Sequence, residues 1–397
     1  MQVLAQAERL PRSVRLLIVA RAVNRLGAFS LSFLTVLITA EFGVSATTAG
    51  LVSSAFGLAT IPSRLFGGHL ADRLGRRRTI VLGLSGCAVA QLGIAASGLL
   101  ALVAVFAVLL GLAFELYEPP SQAMIADAVG PAARTRAYSL LNAALAAAGM
   151  GAGLIAAGVG RWDLRWLFVV DALTCLACAI VVRVVLPADR PGARRAQAPA
   201  PAPASPWTDP ALMVMLACGT LFALVYMGIM VALPLSLPRL GLDAADAGIL
   251  FTVSAVITVA GQPLLRLRKM AALSAPAALA VGAAVMAVGL AGYAVAHTLS
   301  AFVAATVVWS VGDIVMVGRA FAIVADLAPE DARGRYLAVY GTSWGAATVA
   351  VPVAAAQLLE RVGAEGLWGA MAAVCLVLAA AQPGVRRLLR NRAGGSR

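Results

Sequence analysis

The chain has 397 residues, of which 61% are hydrophobic and only 12% are charged. A soluble domain carries about twice that share of charge, so the composition excludes a soluble protein and predicts an all-α protein that crosses a membrane several times. The net charge of +13 would suit nucleic acid if the basic residues shared one soluble face. They are scattered between apolar runs instead, so we expect a lipid bilayer as partner and no nucleic acid.

The residue types and their spacing do not indicate a metal, redox or catalytic centre. The five cysteines lie in apolar runs, and His69 and His297 have no neighbours of ligand type. Cys175 and Cys178 have a C-x-x-C spacing, but no βαβ pattern surrounds them, so packing roles are expected. No P-loop motif for nucleotides is present. The sequence therefore predicts no cofactor, no metal site and no enzyme.

Apolar runs of about 20 residues are long enough to cross a bilayer as helices. Cutting the chain at glycine, proline and charge clusters yields twelve such runs, which we number as spans one to twelve. They are 15–39, 46–67, 79–98, 101–125, 137–159, 166–186, 210–236, 244–264, 273–295, 299–324, 336–359 and 366–385. An even number of spans places both termini on the same side of the membrane.

The arginines indicate which side that is. Most basic residues lie before span one, after even-numbered spans or after span twelve, and few lie after odd-numbered spans. The exceptions are Arg161, Arg165, Arg239 and Arg361. Because Lys and Arg accumulate on the cytoplasmic side of membrane helices, we expect both termini in the cytoplasm and a multi-pass protein of the cell (inner or plasma) membrane.

The middle of the chain separates two halves. Residues 187–208 are rich in proline and alanine without apolar periodicity, which is typical of an extended linker. We therefore expect a cytoplasmic linker at 187–208 between a six-helix bundle in 1–186 and a second six-helix bundle in 209–397.

The two halves also repeat a short motif. An aspartate, followed by two arginines, comes after span four and again, at the same spacing, after span ten. These residues are Asp127, Arg134 and Arg136, and then Asp326, Arg333 and Arg335. Six-helix pseudo-repeats are an architecture of transporters, with the substrate path between the halves.

A charged segment follows span two and reads Gly68-His69-Leu70-Ala71-Asp72-Arg73-Leu74-Gly75-Arg76-Arg77-Arg78. It resembles the loop 2–3 signature of the major facilitator superfamily at every defining position. The resemblance implies a twelve-helix major facilitator fold that works by alternating access. It also implies a switch that comprises Gly68, Asp72, Arg73, Gly75, Arg76, Arg77 and Asp127.

In that switch, the resemblance implies that Asp72 faces the start of span eleven near Gly334 and Arg335 and favours the outward-open state. The positive amino end of a helix stabilises a nearby acid by roughly 0.3–1 kcal/mol. We expect Asp72→Asn to impair turnover and to leave substrate binding intact. The other interpretation is a basic loop that only sets orientation.

Within the superfamily the chain is most similar to bacterial drug-efflux-type proton antiporters. The supporting stretches are Arg21-x-x-Asn24-Arg25-Leu26-Gly27, Tyr117-Glu118-Pro119-Pro120 and Gly334-Arg335-Tyr336. Two departures concern the antiport motifs, because Ala107 and Met150 stand where that group has an arginine and a proline.

Charged side chains inside the spans are candidates for a transport pathway, because an ionisable group costs several kcal/mol at mid-membrane. Helical spacing and depth predict a ladder that joins Arg25 to Glu115 and Arg21 to Glu118, with Asn24 beside it. The ladder is either a static clamp or a part of proton coupling. Glu115 is the first proton candidate because it lies deeper.

In the second half Asp313 lies mid-span, and no basic residue shares its helix face. It is the second candidate for proton binding or cation recognition, with a buried hydrogen-bonding role as the alternative. Tyr340 and Trp344 form an aromatic stripe on span eleven that suits a bulky apolar or cationic ligand. We assign these two residues to a possible substrate cavity.

Together these features favour a secondary active transporter that functions as a monomer. Its expected action is proton-coupled export of a small amphiphilic compound such as a drug or secondary metabolite. The alternatives are a proton-coupled importer of a metabolite or sugar and, from another class, a membrane scaffold or sensor that transports nothing. A scaffold would tolerate replacement of the buried charges in pairs.

Overall fold

The computed structural model describes residues 10–28, 30–129, 131–186, 206–261, 272–316, 319–329 and 333–395. Within these ranges the chain forms helices and short turns, and no strand occurs. By its internal contacts the chain divides into two compact units. The first comprises Met1–Ala196 with Ala247–Thr252, and the second comprises Gln197–Asp246 with Val253–Arg397.

The first unit is a bundle in which α4 packs against α5 and α8, α3 packs against α5, and α1 packs against α7 and α8. Large apolar side chains such as Leu84 and Phe168 are fully buried between these helices. The helices are α1 (Arg12–Arg25), α2 (Leu34–Phe42), α3 (Ala46–Leu74), α4 (Arg76–Ala96), α5 (Leu100–Phe114), α6 (Glu118–Ala128), α7 (Pro131–Gly160) and α8 (Arg165–Val185).

The helices of the second unit are α9 (Pro210–Ser236), α10 (Asp246–Ala260, except for Ala247–Thr252, which belongs to the first unit), α11 (Ala275–Ala294), α12 (Leu299–Met316), α13 (Arg319–Leu327) and α14 (Arg333–Gly395). α14 turns at Gly363, whose φ is +73°, and packs against α9 and α11. In the core the Trp309 indole donates a 2.7 Å hydrogen bond to the Tyr293 hydroxyl. The ring of Tyr293 also meets that of Trp368 edge-on, with centroids 4.9 Å apart.

Seven helices among the described residues are long and apolar enough to cross a membrane, and shorter apolar helices accompany them. The prediction of an all-helical, multi-pass membrane protein is therefore confirmed. Of the predicted linker 187–208, residues 187–205 lie outside the described part of the chain. Pro206–Thr208 forms a single 3₁₀ turn that leads into α9.

Two spans predicted as continuous helices are interrupted. Span four breaks between Phe114 and Glu118, because a proline ring clashes with the carbonyl four residues earlier and has no N–H. Pro119 and Pro120 therefore occupy the first turn of α6, where proline is tolerated. Span one leaves helical geometry after Arg25. There Gly27 approaches α8 so closely that an added Cβ would lie 2.4 Å from the Cα of Asp171.

The charged segment at 68–78 is more helical than the sequence predicts. α3 continues through it to Leu74 and α4 begins at Arg76, so Gly75 alone separates the two helices. Gly75 has a φ of +93° and donates its N–H to the carbonyl of Ala71 at 3.0 Å. Glycine adopts positive φ without the steric penalty of a Cβ.

Gly75→Ala is expected to lower the free energy of unfolding by about 1–3 kcal/mol, because the combination of φ +93° and ψ 155° is adopted almost only by glycine. Thermal unfolding of the purified protein measures the loss. Gly98→Ala is the control, because a Cβ there meets nothing within 4 Å and its φ is not positive. Equal midpoints for the two variants would contradict the assignment of strain to Gly75.

Candidate functional site

A polar cluster in the first unit is centred on Arg21, which is 7% exposed. Its guanidinium donates to the Ser121 hydroxyl at 2.5 Å and forms an ion pair with Glu118. The same guanidinium lies 5.2 Å from the ring centroid of Tyr117, within cation–π distance. The predicted contact between Arg21 and Glu118 is therefore present, and its role in proton coupling stays a prediction.

Asn24 joins the same cluster from the next turn of α1. Its amide nitrogen donates to Cys175 Sγ in α8 at 3.1 Å, and its amide oxygen accepts from the Tyr117 hydroxyl at 3.4 Å. Asn24 thus connects α1, the break before α6, and α8. Polar links between membrane helices hold their relative positions because the apolar surroundings offer few competing partners.

The other half of the predicted ladder is wrong. Glu115 accepts from Arg64 at 2.9 Å, and Arg25 is exposed. The break in span four explains the difference, since Glu115 lies in the turn between α5 and α6 rather than on the helix face of Glu118. Its backbone N–H donates to Ser63 Oγ at 3.1 Å, which turns Glu115 towards α3 instead of α1.

Arg21→Met is expected to lower the free energy of unfolding by about 2–3 kcal/mol. Removing one partner of a fully buried ion pair costs about 3–5 kcal/mol, and the Glu118 side chain is 35% exposed, which reduces the cost. Arg25→Met is the matched control, one turn along on the same helix and exposed. Thermal unfolding measures both variants. If Arg21→Met and Arg25→Met lose similar amounts of stability, the Arg21–Glu118 pair does not stabilise the fold as expected.

The predicted switch residues lie around the junction of α3 and α4. Arg73 is exposed near the end of α3, Arg76 begins α4, and Arg77 donates to the carbonyl of Leu186 at 3.0 Å, just after α8. Gly68 and Asp72 fall in α3 and Asp127 falls in α6. The side chains of Asp72 and Asp127 lie outside the described residues, so the switch stays a prediction.

A cavity of about 330 Å³ lies within the second unit. It is bordered by the helices α9 to α14. Asp313, Tyr340 and Trp344, which the sequence singled out separately, all line it. Further lining residues are Cys218, Phe222, Tyr226, Phe321 and Gln382.

Aromatic rings form much of the cavity wall. Trp344 meets Tyr226 edge-on with ring centroids 5.5 Å apart, and it meets Phe222 in the same manner at 6.0 Å. On α14 the ring of Tyr340 packs edge-on against Phe321 at 5.0 Å. Rings held in edge-to-face contacts give a largely apolar wall that suits a flat or cationic group.

Asp313 is 5% exposed, and its Oδ1 has no hydrogen-bond partner among the described residues. Gln382 was missed by the sequence reasoning, although a lone amide within an apolar span is a signal that could have revealed it. Arg64 was missed as the partner of Glu115, because the break after Phe114 takes Glu115 off the helix face that the sequence predicts for it.

The two helical units with their apolar spans, and a largely aromatic cavity with a buried acid, define a polytopic membrane protein of the transporter class. The sequence profile of the Major Facilitator Superfamily matches residues 17–318 and 215–392. The chain belongs to the Major Facilitator Superfamily, as its loop signature predicted. It is accordingly a transporter and not an enzyme.

Relatives in bacteria agree with this assignment. The chain is 24% identical over 375 residues to the "Uncharacterized MFS-type transporter YhjO" of Bacillus subtilis (strain 168), across 89% of this chain and 87% of that one. It is 32% identical over 126 residues to the "Multidrug resistance protein MdtH" of Salmonella arizonae, across 31% of each chain.

Solved structures share the fold. An auto-inhibited peptide transporter of the POT family superposes with a TM-score of 0.78 at 13% identity, over 95% of this chain and 97% of that one. A D-xylose–proton symporter superposes with a TM-score of 0.72 at 14% identity, over 93% and 96%. At these identities the likeness concerns the fold alone.

Proposed function

We propose that this transporter is a secondary active exporter of small amphiphilic compounds that exchanges them for protons across the cell membrane. The observation that carries the proposal is the cavity of the second unit, where aromatic walls surround the buried acid Asp313. Such a wall accepts apolar rings of many shapes, and an acid without a described cation partner favours a ligand that brings positive charge.

The topology that goes with this proposal has twelve membrane-spanning helices and both termini in the cytoplasm. Residues 1–186 and 209–397 form the two six-helix halves, 187–208 links them, and the protein acts as a monomer by alternating access. The segment from Gly68 to Arg77, with Asp127, is the conformational switch. The distribution of basic residues and the family's loop signature support these assignments.

Export of an amphiphile is favoured over uptake of a sugar by the lining of the cavity. A sugar is bound through many hydrogen bonds to its hydroxyl groups, whereas most described lining residues are apolar or aromatic. The multidrug resistance protein among the relatives agrees with export. The D-xylose–proton symporter among the structural neighbours keeps a proton-coupled importer as the second candidate.

Cells that express the protein test the direction of transport with dansylcadaverine, a fluorescent amphiphile that carries a primary ammonium group. We expect lower dansylcadaverine accumulation than in cells with the empty vector, and a protonophore should abolish the difference. Higher accumulation on expression would favour the importer. No protonophore-sensitive change with any dye of a panel of amphiphilic cations and neutral compounds would contradict the proposed exporter and favour the non-transporting scaffold.

A further inference from the structure

Two buried side chains in the cavity of the second unit each hold an acceptor oxygen that lacks a hydrogen-bond partner among the described residues. One is Asp313, with its free Oδ1, and the other is Gln382, which is 3% exposed and has a free Oε1. They come from α12 and α14, and both line the cavity. Buried polar atoms without partners are rare in native proteins and call for an explanation.

The orientation of Gln382 follows from its hydrogen bond to the backbone, and its side chain also interacts with the thiol of Cys218. Its Nε2 donates to the carbonyl of Leu378 at 3.1 Å, and only the nitrogen of an amide can donate to a carbonyl oxygen. The amide oxygen of Gln382 is therefore the atom that is left to accept a hydrogen bond from a ligand. Both groups offered to a ligand, the carboxyl of Asp313 and the amide oxygen of Gln382, are acceptors when Asp313 is ionised.

We propose that this cavity selects amphiphilic monocations whose charged nitrogen carries at least two hydrogens, such as primary ammonium compounds. The inference rests on the proposed export function and narrows its substrate class. Asp313 supplies the charge and one acceptor, and Gln382 supplies the second acceptor. The rings of Tyr226, Tyr340 and Trp344 contact the hydrocarbon part of the ligand.

The alternative ligand of equal charge is a quaternary ammonium ion. It keeps the attraction to Asp313 and the cation–π contact with the rings, but it has no N–H to donate. Both acceptors would stay without a partner, and leaving a buried acceptor unpaired costs affinity. The count of N–H groups on the charged nitrogen therefore separates the two ligand classes at constant charge.

The probes are naphthylethylammonium and its N,N,N-trimethyl derivative, which share the ring system and the charge. Binding to the purified full-length protein in detergent is measured by titration calorimetry. We expect the unmodified protein to bind the primary ammonium at least about tenfold more tightly, as the loss of charge-assisted hydrogen bonds implies. Equal affinities in the unmodified protein would overturn the proposal without any variant.

Gln382→Met keeps the length of the side chain and removes the amide. It should weaken the binding of naphthylethylammonium about tenfold and change the affinity for the trimethyl probe by no more than about twofold. The matched control is Gln357→Met, the same change on α14 at a half-buried residue outside the cavity lining, which should alter neither affinity. The role of Gln382 would be overturned if Gln382→Met unfolded at the same temperature as the unmodified protein and bound both probes more weakly by the same factor.

The outcome of this test is independent of the outcome for export. If expressing cells extrude dansylcadaverine with proton dependence and the two probes bind equally, the selection rule fails and the exporter stands. If the probes are discriminated and no driven export of any dye occurs, the selection rule stands and the proposed function fails.

Discussion

Asp313→Asn is expected to weaken binding of naphthylethylammonium by about 100-fold and to remove export of cationic dyes. Truncating one partner of a buried hydrogen-bonded charge pair costs about 2–5 kcal/mol, and asparagine has nearly the shape of aspartate without its charge. The described part of the chain supplies no ion pair to Asp313, so the charge of the ligand has no competing cation there.

A neutral ligand separates charge recognition from general damage to the cavity. Naphthylethanol has the same ring system without the charge, and its affinity should be equal in the unmodified protein and in Asp313→Asn. Asp171→Asn is the matched control variant, because Asp171 is equally buried at 5% exposure and lies in α8, outside the cavity. Retained affinity for naphthylethylammonium in Asp313→Asn would exclude Asp313 as the cation-recognition residue.

Glu115→Gln is expected to abolish proton-driven transport while binding of the substrate persists. Glu115 lies at the break between α5 and α6 and forms an ion pair with Arg64, whose side chain is 53% exposed. Protonation of the carboxylate would release Arg64, so one proton event would alter the contact between α3 and the break. Glutamine is fixed in the neutral form, and it cannot cycle between the two arrangements.

The measurement uses the purified protein in lipid vesicles. Dansylcadaverine movement driven by an imposed pH gradient should fall to the level of empty vesicles in Glu115→Gln, and exchange of dansylcadaverine without a gradient should continue. Glu41→Gln is the matched control, since Glu41 also pairs with an arginine, Arg165, at 2.8 Å in the same unit. Normal gradient-driven transport in Glu115→Gln would leave the Glu115–Arg64 pair as a structural clamp.

The pairs of the predicted ladder differ in how far local spacing could determine them. Arg21 and Glu118 each lie at a regular helical position in α1 and α6, and matching their depth was sufficient to predict the contact. Glu115 follows the last residue of α5, so extending the helix to it assigned the wrong face. The adjacent prolines Pro119 and Pro120 were the signal of the break.

The residues of the cavity also differ from their arrangement in how far the sequence could predict them. Each of its polar or aromatic residues could be noticed in the sequence as an exception within an apolar span. Their assembly could not, because Asp313, Tyr340 and Gln382 come from three helical segments whose faces meet only through packing. The amide oxygen of Gln382 became a candidate ligand only when its nitrogen was found bonded to the carbonyl of Leu378.

The sequence by itself determined the helical membrane class, the superfamily through its loop signature, and the ion pair between Arg21 and Glu118. These properties depend on composition and on intervals of a few residues, which the chain carries locally. Only the tertiary structure decided the partner of Glu115, the single-residue junction at Gly75 and the set of residues around the cavity. Those depend on where helices break and which faces they bury, and both result from packing among residues far apart in the chain.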